Sequence, residues 1–570
     1  MRSASTALLD ALQEAGVEFI FANLGSDHPG IVESLAEARA TGRPVPQLIT
    51  CPNEMVALSA AHGFAQVSGR AQAVLVHVEC GTQALAGALH NVAKARIPVL
   101  ILAGTSPFTQ EGELRGSRNE FIQWIQDVHD QRGIVRGYVK YDNEVRTGRN
   151  IQQLTYRALQ LAHSDPRGPV YLMAAREVLE EQVPAEPTAW ADWQPIAPNG
   201  LPPEAVAPLA ELLAGARRPL VVSSFVGRNV EAVAELIKLC RRIGAGVLES
   251  VPSYVNYPHH DPLYQGNQWN EPRQNPALAE ADLVLVLDSD VPWIPTVSRP
   301  DPSATIVHID VDPLKQQMPL WHIAAKQVFR ADVATALRQL NAALDGFGID
   351  EDAVAERRAH YAAQHEQRAE ALRRLERPEG DQITPEWLTA EVRRRLDDTA
   401  IIVNEGITNY PTIVSHMAPS RPGSMFASGG GSLGWSGGAA IGMKLASPDA
   451  TVVALTGDGS YLFSVPSSVH WMARRYRTPF LQIVYNNRGW KAPRFSTLGV
   501  HPDGYASRSD DIGVSFDPAP DHAAIAAAAG GAFARTVQRP DELGEALDQA
   551  FHAVRVEGRA AVLDVWLPHL

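Results

Sequence analysis

Short apolar runs alternate along this chain with stretches whose apolar positions recur every three or four residues. "VEFIFANLG", "QAVLVHV" and "PVLILAG" predict strands, and "NEMVALSAAHGFAQVSG" and "TQALAGALHNVAKA" predict the helices between them. Near-continuous apolar strands separated by helices imply parallel sheets covered on both faces. "GPVYLMAA" predicts a last strand for this first unit. The Pro- and Trp-bearing stretch 183–204 has no period and reads as a linker. A second unit opens at "RPLVVSS" and continues through "ADLVLVLDSD" and "ATIVHIDVD". A charged helical stretch, 351–377, and a turn-rich break then lead to a third unit with "AIIVNEG", "ASGGGSLGWSGGAAIG", "TVVAL" and "FLQIVY". The expected fold class is α/β, with three doubly wound parallel-sheet domains at 1–182, 200–345 and 380–570.

The length of 570 residues agrees with about three domains. A net charge of −14 argues against a nucleic-acid or anionic-membrane surface. The three cysteines, Cys51, Cys80 and Cys240, form no C-x-x-C pair, so neither a disulfide framework nor a zinc site is indicated. The first residues carry Asp10 and Glu14 within an apolar pattern and read as an amphipathic helix, not a signal peptide. No apolar run is long enough to span a membrane. A cytoplasmic enzyme is the expectation.

The candidate chemistry sits where two strands end. "TVVAL" runs into Gly457-Asp458-Gly459, and "FLQIVY" runs into Asn486-Asn487, with a helical pattern between. Parallel strands joined by a right-handed crossover bring their carboxyl ends to one edge, where open α/β sheets bind ligands. Asp458 offers a charged oxygen and Asn487 a neutral one, a donor set suited to hard Mg²⁺ or Ca²⁺, of which Mg²⁺ typically keeps only one or two carboxylates. Glycines beside the acid allow close backbone approach to a phosphate, and Ser460 with the N–H groups beyond it suits the anion. Each turn alone is a common surface feature; the pairing at βαβ spacing points to a metal–diphosphate clamp.

The glycine-rich run offers two competing motifs. Gly429, Gly431 and Gly434 satisfy G-x-G-x-x-G, a dinucleotide fingerprint. Gly430, Ser432 and Gly434 satisfy G-x-S-x-G, the nucleophile elbow of serine hydrolases. The first leaves Asn487 without a role. The second finds no spacing that selects a histidine among His501, His522 and His552.

G-D-G, 26 intervening residues and N-N resemble the signature of thiamine-diphosphate (ThDP) enzymes. The resemblance extends over most of the chain and is nearest to the benzoylformate decarboxylases, then to the acetohydroxyacid synthases. It implies that Asp458, Asn487 and the Gly489 carbonyl hold Mg²⁺, and that Gly457, Gly459, Ser460 and Thr408 lie against the diphosphate. It implies that Leu433 props the cofactor in its bent form and that the Gly431 carbonyl accepts its amino group. Glu54 matches the glutamate that activates the pyrimidine, although an ordinary first-turn acid after an Asn N-cap looks the same. "NLGSDH" matches Ser26 to a substrate contact, and "VHVECGTQALAGALHN" matches His77 to a proton shuttle. Such enzymes act on a 2-oxo acid or hydroxyketone and place the glutamate and the clamp on different subunits. A homodimer at minimum, and a homotetramer when complete, is therefore implied.

Two departures bear on substrate. "DSDVPWIPTVSRP" presents Trp293 where the decarboxylases have a second histidine, and "RGWKAPRFSTLGVHPDGY" differs in the segment that should roof the pocket. Trp293, Trp490 and His501 are pocket candidates by position. Nothing in "VVSSFVGRNVEA" compels FAD. The implied activity is non-oxidative decarboxylation of a 2-oxo acid with possible carboligation. The alternatives are acetolactate-type carboligation of pyruvate, a serine hydrolase at Ser432, and a scaffold that has lost turnover.

Overall fold

The computed structural model describes residues 1–185, 188–270, 273–321, 323–509 and 512–569. Residues 186 and 187 of the expected linker lie outside that set.

Three six-stranded sheets follow one another along the chain. In the first, strands Gln47–Thr50, Phe19–Ala22, Gln72–Val76, Val99–Thr105, Pro169–Ala175 and Tyr141–Val145 lie side by side in that order, all parallel. The second runs Tyr264–Gln268, Gly246–Ser250, Pro219–Ser223, Leu283–Leu287, Thr305–Asp310, Gln327–Arg330, and is also parallel. The third runs Met425–Ala427, Ile401–Glu405, Val452–Gly457, Leu481–Asn486, Ala561–Trp566, Phe533–Val537, again parallel throughout. The first and third share one connection order: second, first, third, fourth, sixth, fifth. No internal repeat is visible in the sequence, so this likeness belongs to topology alone. The middle sheet has the order third, second, first, fourth, fifth, sixth.

Central strands such as "LVLVL" at 283–287 are wholly buried, as expected when helices cover both faces. The strand Tyr141–Val145 ("YDNEV") has no such run and is absent from the sequence-based expectation. It pairs on one side only and is mostly half-buried. The helix expected over "TQALAGALHNVAKA" is two helices, Val78–Ala84 and Ala86–Lys94. The segment between Asp458 and Asn487 also holds two, Asp458–Phe463 and Pro466–Arg475. Val465 at φ +54° breaks the path, and Pro466 begins the second helix.

The first and third units are held together by glycine. Helices Glu54–Ser68 and Ser436–Ala446 pack so closely that a Cβ on Gly63 would lie 2.3 Å from the Ala439 carbonyl oxygen. A Cβ on Gly442 would lie 1.9 Å from that of Ala60. The first unit meets the second through buried Arg96, which reaches Asp290 at 2.6 Å and Asp310 at 3.0 Å.

Candidate active site

In the third sheet the chain moves outward from Ile401–Glu405 to Met425–Ala427, then crosses back to Val452–Gly457. The crevice between the first and third of these strands is a topological switch point, the ligand-binding position in open α/β sheets. Thr408, Asp458 and Asn487 follow the carboxyl ends of three adjacent strands there, whose registers place Glu405 beside Thr456 and Gly457 beside Tyr485.

Asp458 is buried. Its Oδ1 accepts the Gly459 N–H at 2.7 Å and its Oδ2 the Gly489 N–H at 3.0 Å. Burial pushes its carboxyl above the ordinary value, and these N–H groups oppose the shift only in part. It forms no ion pair among the described residues, so a cation beside it would supply the missing counter-charge. Asn487 is buried with Nδ2 unpartnered, and Ser460 Oγ is likewise buried without a partner. The Gly489 carbonyl accepts one hydrogen bond, from Lys491 at 3.1 Å, which leaves it a second lone pair. Carboxylate, amide and carbonyl together suit a hard divalent cation. No group of three His, Cys, Asp or Glu among the described residues offers a softer site.

The two glycines beside Asp458 differ. At Gly457 the space for a side chain is open, with the nearest atom 3.9 Å away. At Gly459 it is filled by Trp490, whose ring would lie 2.1 Å from a Cβ. Glycine at 459 therefore admits an indole on its Cβ side. Trp490 also packs edge-on against Phe463 and Phe516.

The glycine-rich run is set by two side chains that the sequence did not single out. Buried Glu405 accepts the N–H groups of Gly434, Trp435 and Ser436 at 2.7, 3.0 and 2.8 Å. Asn91 accepts the Ser432 N–H at 3.0 Å and donates to the Ser432 carbonyl at 2.8 Å. Leu433 is held half-buried between these anchors, and Gly431 is exposed. Gly431 lines a cavity of about 360 Å³ with Tyr410, Trp269 and Ser253. Trp269 and Tyr410 are stacked, with ring centroids 4.5 Å apart. Trp293 is buried and lines a neighbouring cavity of about 200 Å³ that shares Trp269 and Val251. His501 is exposed at the end of helix Lys491–Val500. The hydrolase alternative finds no support: among the described residues no histidine hydrogen-bonds to Ser432.

The carboxyl ends of three adjacent strands in the first sheet carry the other candidates. Glu54 opens the helix after Gln47–Thr50, behind Asn53, whose side chain accepts the Val56 N–H. Glu54 is buried, and Oε1 accepts from Asn23 Nδ2 at 2.9 Å. Ser26 follows Phe19–Ala22, and its buried Oγ has no partner. His77 follows Gln72–Val76 directly and meets Asp27 at 2.6 Å. The structure thus gathers Ser26, Glu54 and His77 at one edge, and Thr408, Asp458 and Asn487 at another. Among the described residues no hydrogen bond or ion pair joins the two groups. Asp27 lies inside the quoted "NLGSDH", and the signal for it was an acid one loop away from a strand-end histidine.

Three family models match the chain in succession: "Thiamine pyrophosphate enzyme, N-terminal TPP binding domain" over 2–134, the central domain over 206–340, and the "C-terminal TPP binding domain" over 406–565. The chain is 25% identical over 567 residues to the acetolactate synthase large subunit of Haemophilus influenzae, covering 96% of this chain and 92% of that one. It is 25% identical over 506 residues to a benzoylformate decarboxylase of Pseudomonas aeruginosa, covering 87% and 88%. Its fold is similar to that of a thiamine diphosphate-dependent 4-hydroxybenzoylformate decarboxylase from Rhodococcus jostii, with a TM-score of 0.79, 21% identity and coverage of 100% and 99%. With the carboxyl-edge donor set at one end of the chain and a buried strand-end glutamate at the other, the chain belongs to the thiamine-diphosphate-dependent enzymes.

Proposed function

We propose that this chain catalyses the ThDP- and Mg²⁺-dependent, non-oxidative decarboxylation of a 2-oxo acid, with release of an aldehyde or ligation to a second carbonyl. The observation that carries the reading is the third-sheet crevice, where a buried carboxylate that forms no ion pair among the described residues, an unpartnered amide and an unpartnered hydroxyl follow two adjacent strand ends. Asp458, Asn487 and the Gly489 carbonyl would hold the metal. Gly457, Gly459, Ser460 and Thr408 would lie along the diphosphate, with Gly459 acting through its backbone because Trp490 covers its face. Leu433 and the Gly431 carbonyl would position the cofactor's other end. When bound, ThDP supplies an electron sink for breaking or making the bond beside a carbonyl.

The residues of the chain supply binding and proton transfer. Glu54 would meet the cofactor's ring nitrogen with its buried carboxyl. Ser26 offers its free Oγ to the substrate. His77 delivers a proton to the reacting carbon and takes it back in the reverse direction. The stacked Trp269–Tyr410 pair beside Gly431 gives the cavity an apolar wall, which suits an aromatic or other apolar acyl group.

Glu54 and the clamp occupy separate sheet edges within one chain, so we assign the complete site to two chains. A homodimer is the minimum and a homotetramer the proposed complete form. Large apolar side chains stand exposed after the strand Val99–Thr105, among them Phe121 at 76% and Ile125 at 72%, which supports burial against another copy. The proposed domain limits are 1–182, 200–345 and 380–570. No helix among the described residues is long and apolar enough to cross a membrane; the proposed location is the cytoplasm.

Acetolactate-type ligation of pyruvate is the second reading, favoured by an identity to the synthase as high as that to the decarboxylase, over more of the chain. The test is CO₂ release from pyruvate and from benzoylformate, with product identification, with and without ThDP and Mg²⁺. Release that requires both cofactors supports the proposal, and benzaldehyde or 2-acetolactate as product selects between the readings. Tight ThDP binding without release from any 2-oxo acid would overturn it.

A further inference from the structure

Asp27 has no part in the function proposed so far. It lies in the loop leaving Phe19–Ala22, and its carboxylate is buried. Oδ1 meets His77 Nδ1 at 2.6 Å, and Oδ2 accepts the Val78 N–H at 3.0 Å. His28 Nε2 lies 3.2 Å from Oδ2. His28 Nδ1 accepts the Gly25 N–H at 3.0 Å, so a neutral His28 carries its proton on Nε2, which approaches Asp27 without a hydrogen bond.

The surroundings are shaped around this pair. A Cβ on Gly104 would sit 1.7 Å from Asp27 Oδ2, and one on Gly25 would sit 1.9 Å from His77 Nδ1. Neither site tolerates a side chain while the pair stays closed. Val78, next to His77, has φ +34°, an outlier for a β-branched residue. Such strain persists where neighbours over-determine the backbone, and it clusters at functional sites. Here the strained N–H is the one that Asp27 binds.

A carboxylate on Nδ1 fixes a histidine's tautomer and leaves Nε2 as the nitrogen that exchanges protons. We infer that Asp27 is a positioning residue for the proposed reaction: it aims the His77 ring and retains the Nδ1 proton, so that Nε2 carries the proton to and from the reacting carbon. The inference rests on the proposed decarboxylase or carboligase function. The Nε2–H bond breaks as the C–H bond forms, neutral imidazole stays bound to Asp27 through Nδ1–H, and solvent returns the proton to Nε2. The groups facing His77 are Asp27, His28, Glu54 and Gln126. The Asp27 hydrogen bond outweighs burial and holds His77 above the ordinary histidine value. Burial pushes Asp27 up, but the His77 hydrogen bond and the charges of His28 and His77 more than offset it. Burial holds His28 below its ordinary value. The protonated, donor form of His77 therefore persists to higher pH than an isolated ring would allow.

Asp27→Asn keeps an acceptor for Nδ1 and removes the charge. Gly104→Ala leaves Asp27 in place and forces its carboxylate aside. The test uses the full chain with ThDP and Mg²⁺, its histidine rings isotope-labelled and the His77 signal assigned by its loss in His77→Ala. Both variants should lower the His77 titration midpoint by about one unit or more, as expected when an opposite charge within contact is lost. The alkaline limb of kcat for CO₂ release should move to lower pH by the same amount, with KM changed less than about twofold. If Asp27→Asn does not fold, Gly104→Ala carries the test. An unchanged His77 midpoint in a variant that melts like the wild type overturns the inference. If the wild type releases no CO₂ from any 2-oxo acid, the proposed function fails, and the ring titration still upholds or overturns the Asp27–His77 coupling.

Discussion

Asp458 is provided with backbone donors and still lacks a counter-charge, and that imbalance sets the first expected outcome. Asp458→Ala should weaken ThDP binding in the presence of Mg²⁺ by about 2–5 kcal/mol, roughly 30-fold or more, as for loss of one partner of a buried charge pair. Fluorescence of Trp490, packed on Gly459 beside the crevice, provides the titration signal. Glu405 sets a second. Gln at 405 would turn an N–H group toward one of the three backbone N–H donors that Glu405 now satisfies. The expected cost is about 1–3 kcal/mol in urea unfolding, with weaker ThDP binding because the Leu433 loop loses its anchor. Asp458 and Asn487 were legible because their spacing carries the signal. Glu405 and Asp27 were not, because their partners lie 29 and 50 residues away and only the folded sheet edge brings them together.

At the scale of elements, the informative contact joins helices Glu54–Ser68 and Ser436–Ala446. Helix propensity alone favours Gly442→Ala by about 1 kcal/mol. The Cβ would instead meet a backbone oxygen at 1.9 Å, and no rotamer change relieves a backbone clash. The expected sign is therefore reversed: urea unfolding should show a loss of about 1–3 kcal/mol, the range for overpacking. A gain would mean that the helices stand further apart. The apolar central strands could be read from the sequence because both faces are buried. Tyr141–Val145 could not, since an edge strand with polar residues gives neither a continuous run nor an alternation. The two split helices were read as single ones because apolar periodicity passes through both breaks, the second of which Val465 and Pro466 impose on the backbone.

At the scale of the whole molecule, buried neutral histidines give the chain an acid limit. Burial pushes His62 down to about 3 and His470 to about 4, opposed at His470 only by the Gln482 side chain. An unfolded histidine takes its proton near pH 6.5, whereas these do so only well below, so the unfolded state binds more protons between those values. Stability should fall as pH drops from about 6.5 toward 4, by up to about 1.4 kcal/mol per pH unit for each histidine. Melting temperatures at pH 7 and pH 5 measure the loss, and His470→Leu should make the fall shallower. The first and third sheets share one connection order, and each carries at its carboxyl edge half of the proposed chemistry. Neither edge reaches the other by a hydrogen bond or ion pair among the described residues, in keeping with the proposed site shared between two chains. The direct measurement mixes Glu54→Ala and Asp458→Ala chains by co-expression, each inactive alone, and assays ThDP-dependent CO₂ release from the preferred 2-oxo acid. Activity in the hybrid, from the one site per dimer that has both residues intact, is the expected result; hybrids no more active than either parent would contradict it.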